Sequence, residues 1–282
     1  MRRLSIRHVT RYSFHGTVRL DPHRLLIRPR EGPELRIESS RLVTTPASTI
    51  RWFRDAYDNS VTIASFDTPT NQLEIVSEVV VQHYDEAPLD FLVADHAVYY
   101  PFSYESRNTA VLAPYLALQP GSDGAALRSW AASFWQPDMT IQTYTLLARI
   151  CAGIRDTMKY QMREEPGVQT AAETLQRGVG SCRDFANLYM ETVRALGLAA
   201  RFVSGYLDAG LPDKPGATHA WAEVYIPGAG WKGFDPTLGN MVGADHIAVA
   251  VACVPDNVPP VSGAFFGPPG AELAVDVRVT TL

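Results

Sequence analysis

The hydrophobic pattern of this chain changes from a strand-like to a helix-like period after about residue 120, and this change constrains the fold more than any other feature. Up to about residue 84, apolar and β-branched residues alternate with polar ones in short runs, which turn signals such as Gly32-Pro33 and Asp58-Asn59 separate. Between Leu127 and Leu196, apolar residues recur every three or four positions, which is the spacing of a helix, and further strands follow. We therefore expect an α+β protein in which an antiparallel β-sandwich-type domain precedes a mixed core.

The second part of the chain predicts helices followed by strands. A capping-box pattern at Thr170 and Glu173 starts a short helix, and Ser181 with Asp184 starts a longer one that Gly197 ends. The predicted helices cover 127–134, 144–158, 170–177 and 182–196, and the predicted strands cover 200–207, 218–226, 231–235 and 272–279. These elements alone are enough for a helix-on-sheet core.

The proline-rich segment 85–121 lies between the two parts, and we interpret it as an irregular connection. We place the boundary near residue 120. Residues 1–120 then form the β-sandwich-type domain with its connection, and residues 121–282 form the core. Whether the final strand stays with the core or returns to the β domain is left open.

Composition and cysteine content narrow the class of protein. The 282 residues contain 25 Lys and Arg against 30 Asp and Glu, a net charge of −5, so the charge gives no reason to expect nucleic acid or an anionic membrane as partner. The three cysteines include no CxxC pair and are too few for a disulfide framework, which favours a reducing compartment. Without a long apolar run, we predict neither a signal peptide nor a membrane span, and we expect a cytoplasmic location.

Cys182 lies at the predicted start of the longer helix, directly after Gly178-Val179-Gly180-Ser181. The first N–H groups of a helix lack intrahelical acceptors and carry partial positive charge, so they favour a thiolate and could also hold an oxyanion. An isolated cysteine at such a position is more often a buried structural residue. The assignment of Cys182 as a nucleophile therefore depends on what else the chain supplies.

His219 and Asp235 lie on neighbouring predicted strands that a Pro227–Gly230 turn joins. A two-residue loop would send their side chains to opposite faces of the sheet. A three-residue loop over 227–229 pairs Ile226 with Gly230 and places Asp235 diagonally beside His219. We therefore expect a hairpin loop of three or five residues.

With that register, Cys182, His219 and Asp235 form a nucleophile, a base and an orienting carboxylate. Cys182 would attack an acyl carbon, His219 would hold and return the proton, and Asp235 would fix the imidazole tautomer. Taken singly, a strand histidine and an aspartate before proline are more often structural residues. The order of the three residues does not by itself specify a reaction.

Several other residues have open roles at this stage. Trp221 and Tyr206 either line a substrate cleft or pack in the core, and Asp184 is either a helix-start residue or a helper in the site. The side-chain donor of an oxyanion site remains open among three residues, Tyr160, Gln161 and Gln169. The remaining histidines, including His246, show no metal-ligand spacing, so we treat them as surface or hydrogen-bonding residues and expect no metal and no cofactor.

Four ordered blocks of this sequence resemble the core of bacterial transglutaminase-like proteins, a group often described as cysteine proteases. The blocks are Gly178–Ala186, Arg194–Tyr206, His219–Val224 and Gly230–Thr237. The N-terminal region, including the run from His23 to Arg30, is similar to the domain that precedes the core in this group.

The resemblance implies a papain-like transglutaminase core with a Cys-His-Asp triad on Cys182, His219 and Asp235. It also implies an oxyanion site that includes the backbone N–H of Cys182. One departure concerns the position after the nucleophile, which is usually Gln in these relatives and is Arg183 here. This residue puts a second cation beside the thiol.

We therefore expect a cofactor-free thiol enzyme that forms an acyl-enzyme from an amide, with hydrolysis of a peptide or isopeptide bond as the leading reaction. Transglutamination, in which an amine replaces water, uses the same triad and would need a water-poor tunnel that Trp221 and Trp231 could build. An inactive interaction module is the alternative from another class. The expected partner is a peptide or protein amide substrate, with no nucleic acid and no membrane, and the oligomeric state is left open.

Overall fold

The structure is a computed structural model that describes residues 1–84, 89–119, 124–163, 165–208 and 217–282. Its strands are β1 (Arg2–Leu20), β2 (His23–Leu25), β3 (Leu35–Thr45), β4 (Thr49–Arg54), β5 (Ser60–Ser65), β6 (Thr70–His83), β7 (Tyr99–Tyr100), β8 (Ile141–Gln142), β9 (Lys159–Tyr160), β10 (Val179–Gly180), β11 (Ala200–Leu207), β12 (Ala217–Ile226), β13 (Gly230–Asp235), β14 (Asn240–Met241), β15 (His246–Ala252), β16 (Val261–Ser262), β17 (Phe265–Phe266) and β18 (Ala271–Thr281).

The α-helices are α1 (Ser106–Leu116), α2 (Gly124–Ala131), α3 (Thr143–Thr157), α4 (Ala171–Arg177) and α5 (Cys182–Ala195). Short 3-10 helices occur at Asp95–Ala97 and Pro255–Asn257. None of the helices in the described ranges is long and apolar enough to cross a membrane. The mixed α+β class that the sequence predicts is confirmed.

Two antiparallel sheets form the N-terminal β region. One has the order β17-β1-β6-β3, with β18 also paired to β1, and the other has the order β16-β2-β5-β4. Phe14 and Leu73 of the first sheet share an apolar cluster with Leu25 and Ala64 of the second. Burial of one face of each sheet in this cluster is what period-two alternation favours.

The C-terminal tail returns to this region. Strand β18 pairs with β1 over its whole length, from Ala271 opposite Phe14 to Thr281 opposite Leu4, and β16 and β17 pair with β2 and β1. The two ends of the chain therefore complete the same β region. The boundary expected near residue 120 falls at 120–123, outside the described residues.

The interpretation of segment 85–121 as irregular is wrong in part, because it contains helix α1. Pro114 lies in the last turn of α1, where its missing N–H removes a helical hydrogen bond, and the helix ends at Leu116. The hydroxyl of Tyr104, just before α1, accepts from the Ala199 N–H and donates to the Tyr225 carbonyl, both at 2.9 Å. The segment is thus fastened to the core rather than being a tether.

The core is an antiparallel sheet with the order β14-β13-β12-β11-β15, and α5 packs on one face of it. Ala220, Ala222 and Val224 of β12 face the apolar cluster that contains α5. Trp221 packs with Val203 on the opposite face, the outer face of the core sheet. Alternation along β12 therefore decides which side chains lie under the helix.

The β12–β13 hairpin has the register that places the site. Ile226 pairs with Gly230 and Ala222 with Phe234, so the loop is 227–229 and the expected three-residue loop is confirmed. Gly228 and Gly230 have φ angles of 86° and 77°, a region that favours glycine. This register brings the end of β13, Asp235, toward the start of β12.

Candidate active site

Cys182 is the first residue of α5, and Asp184 fixes where that helix begins. The N–H and the hydroxyl of Ser181 both donate to Asp184 Oδ2 at 2.8 Å. Asp184 Oδ1 accepts from the Gln169 N–H at 2.8 Å and from Arg163 Nη1 at 2.7 Å. Burial disfavours the Asp184 carboxylate, but these hydrogen bonds outweigh burial and lower its pKa. Of its two possible roles, the structure therefore shows Asp184 as the helix-start residue.

Tyr160 lies near Cys182 because β9 pairs with β10 in parallel, with Tyr160 opposite Gly180. The Tyr160 side chain is 48% exposed, and both partial burial and the charge of Cys182 raise its pKa. Gln161 follows on the same exposed strand end, whereas Gln169 is buried and its Oε1 accepts from the Thr174 hydroxyl at 3.3 Å. Of the three candidate oxyanion donors, Tyr160 is exposed and close enough to Cys182 for the two charges to interact, whereas Gln169 is buried and engaged with Thr174.

His219 connects Cys182 to Asp235. Its Nε2 donates to Asp235 Oδ2 at 2.7 Å, which leaves Nδ1 for the hydrogen bond with Cys182. Burial lowers the pKa of His219, but the hydrogen bonds and charges of Asp235 and Cys182 outweigh burial and raise it to about 10. The imidazole therefore carries a proton at neutral pH, between a carboxylate and a sulfur.

Asp235 is completely buried and its two oxygens have different partners. Oδ1 accepts from the N–H groups of Thr237 and Leu238, at 2.8 and 3.3 Å, in the turn that follows β13. Oδ2 accepts from His219 and from His246, and these hydrogen bonds outweigh the effect of burial and lower the pKa of Asp235. Asp235 is both a turn-forming residue and the orienting group for His219.

Sequence reasoning missed His246. Its Nε2 donates to Asp235 Oδ2 at 3.1 Å, and its ring lies edge-on to Trp221, with 5.2 Å between centroids. His246 starts β15, at the far edge of the core sheet from Asp235. It reaches the site because the segment between β14 and β15 crosses the outer face, where Val242 packs so closely on Gly233 that a Cβ there would lie 2.7 Å from it. No spacing motif signals such a crossing.

Two aromatic residues whose role the sequence left open between core packing and a substrate cleft are buried in the fold. The Tyr206 hydroxyl donates to the Ile27 carbonyl at 3.1 Å and hydrogen-bonds His8 Nδ1 at 2.9 Å, so it joins the core to the N-terminal β region. Trp221 is only 1% exposed and packs beside His219 and His246. Tyr206 is therefore a packing residue, whereas Trp221, although buried, also lines a cavity with Trp231 and Glu223.

Arg183, which follows Cys182, folds back on the neighbouring loop. Its Nη2 donates to the Arg163 carbonyl at 3.2 Å and also to the Glu165 carbonyl. The guanidinium is therefore held by neutral acceptors, and its positive charge remains near the start of α5.

The donor atoms of His219, Asp235 and His246 lie within 4.8 Å of one another, which is close enough for three ligands of one metal ion. Two hydrogen bonds to a single carboxylate oxygen, at 2.7 and 3.1 Å, account for this spacing. A cation held by the same three atoms would have to replace the hydrogen bond that orients His219.

Comparison with known families divides the chain into two matched regions. Residues 4–82 match the family described as the bacterial transglutaminase-like N-terminal region, and residues 128–236 match the transglutaminase-like superfamily. The second region contains all three residues of the expected triad.

Relatives and solved structures extend this likeness over the whole chain. An uncharacterized protein of Mycobacterium tuberculosis is 29% identical, over 94% of this chain and 88% of its own length. One of Mycobacterium leprae is 25% identical over the full length of both chains. The crystal structure of a "Putative Cysteine Protease" from Cytophaga hutchinsonii superposes with a TM-score of 0.74 at 18% identity, covering 100% of this chain and 91% of that one.

The structural neighbour therefore has the same fold across both the β region and the core. Its papain-like arrangement of helix and sheet confirms the fold class that the sequence predicts. The chain is a bacterial transglutaminase-like protein, in which the N-terminal region of that family precedes a transglutaminase-like core.

Proposed function

We propose that this protein is a thiol-dependent acyl enzyme that acts on amide bonds through Cys182, His219 and Asp235. One observation carries the proposal: a buried imidazole uses one ring nitrogen for a buried carboxylate and leaves the other for a cysteine at a helix N-terminus. This is the constellation of an activated thiol nucleophile. Membership of the transglutaminase-like superfamily supports the same class of chemistry.

The proposed reaction begins with attack of the Cys182 sulfur on the carbonyl carbon of the amide. His219 gives its proton to the nitrogen of the leaving amine as the C–N bond breaks, and a thioester remains on Cys182. The N–H of Cys182, in the first turn of α5, and the Tyr160 hydroxyl would donate to the oxyanion. His219 then takes a proton from water as the water oxygen attacks the thioester carbon, and collapse of the intermediate breaks the C–S bond, releases the carboxylic acid and restores the thiolate of Cys182 beside the protonated His219.

Hydrolysis is favoured over amine transfer as the second half-reaction. The sequence argument for an amine tunnel rested on Trp221 and Trp231. Trp221 is buried, and Trp231 packs against Tyr115 and Tyr225 and lies under the guanidinium of Arg201. Both indoles make these contacts within the fold, and both also line a cavity together with Glu223 and Lys232. We favour hydrolysis because water is the acceptor that needs no dedicated channel.

The substrate class that this chemistry implies is a peptide or protein with an accessible amide or isopeptide bond. The cysteines are all free, and we propose that the enzyme acts in the reducing cytoplasm.

The first test is alkylation by iodoacetamide across a pH series, with the labelled cysteine identified by mass spectrometry. We expect Cys182 to be labelled selectively at neutral pH and His219→Ala to slow that labelling, because the imidazolium partner is lost. Cys151 is an internal control, since it is fully buried and burial raises its pKa. Slow, unselective labelling that is the same in the wild type and in His219→Ala would favour the inactive interaction module.

The second test separates the two acyl enzymes. A fluorogenic peptide library is hydrolysed with and without a labelled primary amine, using Cys182→Ala as the blank. Release of the acid without incorporation of the amine supports hydrolysis, whereas amine incorporation at the expense of acid identifies a transglutaminase.

A further inference from the structure

The Asp235 carboxylate is held by two histidines, and only one of them faces the thiol. We propose that His246 is a positioning residue for the Asp235–His219 pair. We further propose that one cross-strand pair of the N-terminal β region, Arg2 with His83, holds His246 in place. The inference rests on the proposed thiol chemistry and assigns the N-terminal β region a role in it.

The hydrogen bonds of His246 fix which nitrogen carries its proton. Its Nδ1 accepts from the Gly243 N–H at 3.4 Å, so Nε2 carries the hydrogen that it donates to Asp235 Oδ2. The ring is 6% exposed and rests against Trp221 at an interplanar angle of 80°. Its orientation is therefore set by packing as well as by hydrogen bonding.

The Asp235 carboxylate has donors on both oxygens as a result. The turn after β13 fixes Oδ1, and the two histidines fix Oδ2. Without His246, Oδ2 would keep one donor, and the carboxyl plane would be free to tilt away from His219 Nε2. The imidazole would then lose the restraint that aims Nδ1 at Cys182.

The segment that leads into His246 is tied to the N-terminal β region. Arg2 Nη1 donates to the Ala244 carbonyl at 3.3 Å and to the Asp245 carboxylate, and Arg2 Nη2 donates to Asp208 Oδ2 at 2.6 Å. His83 Nε2 donates to the His246 carbonyl at 3.1 Å. Arg2 and His83 are cross-strand partners on β1 and β6, so one pair of the sheet binds three consecutive residues, Ala244, Asp245 and His246.

Substitutions at position 246 separate positioning from simple packing. His246→Gln keeps an N–H donor near the position of Nε2, whereas His246→Leu keeps the volume and removes the donor. The Leu variant loses a hydrogen bond to a charged group. The usual strength of such a bond predicts a decrease in kcat of roughly 10- to 100-fold. We expect KM to stay within about 2-fold, since His246 does not touch substrate, and the Gln variant to keep most of the activity.

Arg2→Met tests the link to the N-terminal β region, with Arg3→Met as the matched control. Arg3 lies next to Arg2 on β1, but its partner, Glu38, belongs to the β region itself. We expect Arg2→Met to lower kcat in the same direction as His246→Leu and to a smaller extent, and Arg3→Met to leave kcat unchanged. Equal kcat values for Arg2→Met and Arg3→Met would overturn the proposed link between the N-terminal β region and His246.

The alkylation rate of Cys182 distinguishes failure of this inference from failure of the proposed function. If His219→Ala does not slow alkylation of the wild-type thiol, the proposed function fails. If it does, and folded His246→Leu alkylates and turns over like the wild type, only the role of His246 is overturned. Should His246→Leu not fold, as judged by thermal unfolding, His246→Met replaces it as the variant without an N–H donor, and wild-type kcat and alkylation rate in the folded Met variant overturn the role of His246.

Discussion

Two histidines in this protein are both buried but have opposite electrostatics. His8, in the N-terminal β region, hydrogen-bonds the Tyr206 hydroxyl and the Thr10 hydroxyl, each at 2.9 Å. His219, in the core, hydrogen-bonds Asp235 and Cys182. Burial lowers the pKa of His8 to about 4, whereas the pKa of His219 is raised to about 10.

The difference shows that burial alone does not identify a histidine that holds a proton. Burial disfavours the imidazolium in both places, and only at His219 does a buried carboxylate compensate for it. His8 and Tyr206 therefore form a neutral contact between the β region and the core. His219 belongs to a charged network that stops at the thiol.

Removal of the thiol is expected to have the largest effect. Cys182→Ala leaves the fold intact and lowers turnover by at least about 10⁴-fold, because no other side chain supplies the nucleophile. It also removes one of the groups that raise the pKa of His219, so NMR titration of His219 should give a lower value than in the wild type. Turnover comparable to that of the wild type would contradict the nucleophile assignment.

Asp235→Asn should make His219 resemble His8. The neutral amide cannot compensate for burial, so the pKa of His219 falls, and a mis-set imidazole lowers turnover by about 10³- to 10⁴-fold. Steady-state kinetics and NMR titration of the same preparation measure both effects. An unchanged His219 titration in a folded variant would show that Asp235 is not the compensating charge.

Two tyrosines extend the comparison, since Tyr160 lies near Cys182 and Tyr206 hydrogen-bonds His8. Tyr160→Phe should lower kcat by about 100-fold through loss of an oxyanion donor, with little change in thermal stability. Tyr206→Phe is the matched control: it removes a buried partner of His8 and should cost about 1–3 kcal/mol of unfolding free energy without changing kcat. The reverse assignment of effects would contradict both placements.

The pH dependence of stability should have opposite signs at the two histidines. An unfolded His8 takes up a proton near its ordinary pKa of 6.5, but the folded protein does so only near 4, so unfolding free energy is lost as the pH falls through this window, by about 3 kcal/mol. The contribution of His219 is complete below 6.5 and is lost as the pH rises toward 10.

Chemical denaturation of the wild type and of His8→Gln between pH 7 and pH 4 checks the first sign. Carboxylates that titrate in this range contribute equally to both proteins, so the difference between the two curves isolates His8. Parallel curves would mean that His8 is not held neutral in the fold.

Much of the core could be predicted from local sequence. The Ser181–Asp184 pattern marks the start of α5, and the turn at 227–229 fixes the register of His219 relative to Asp235, because both depend on residues only a few positions apart. Helix α1 was missed because Pro114 interrupts its pattern. The sequence predicted the correct strand for Tyr206. Alternation along that strand does not show which part of the protein covers the face on which its side chain lies.

The sequence by itself predicted the class of elements, a hairpin loop of three or five residues, and the candidate nucleophile, base and orienting carboxylate. Only the tertiary structure decided that His246 reaches Asp235 and that Arg2 and His83 hold the segment before it. The physical reason is distance along the chain: periodicity and turn chemistry act over a few residues. A contact between β1 and the segment ahead of β15 exists only once the two sheets have packed and their ends meet.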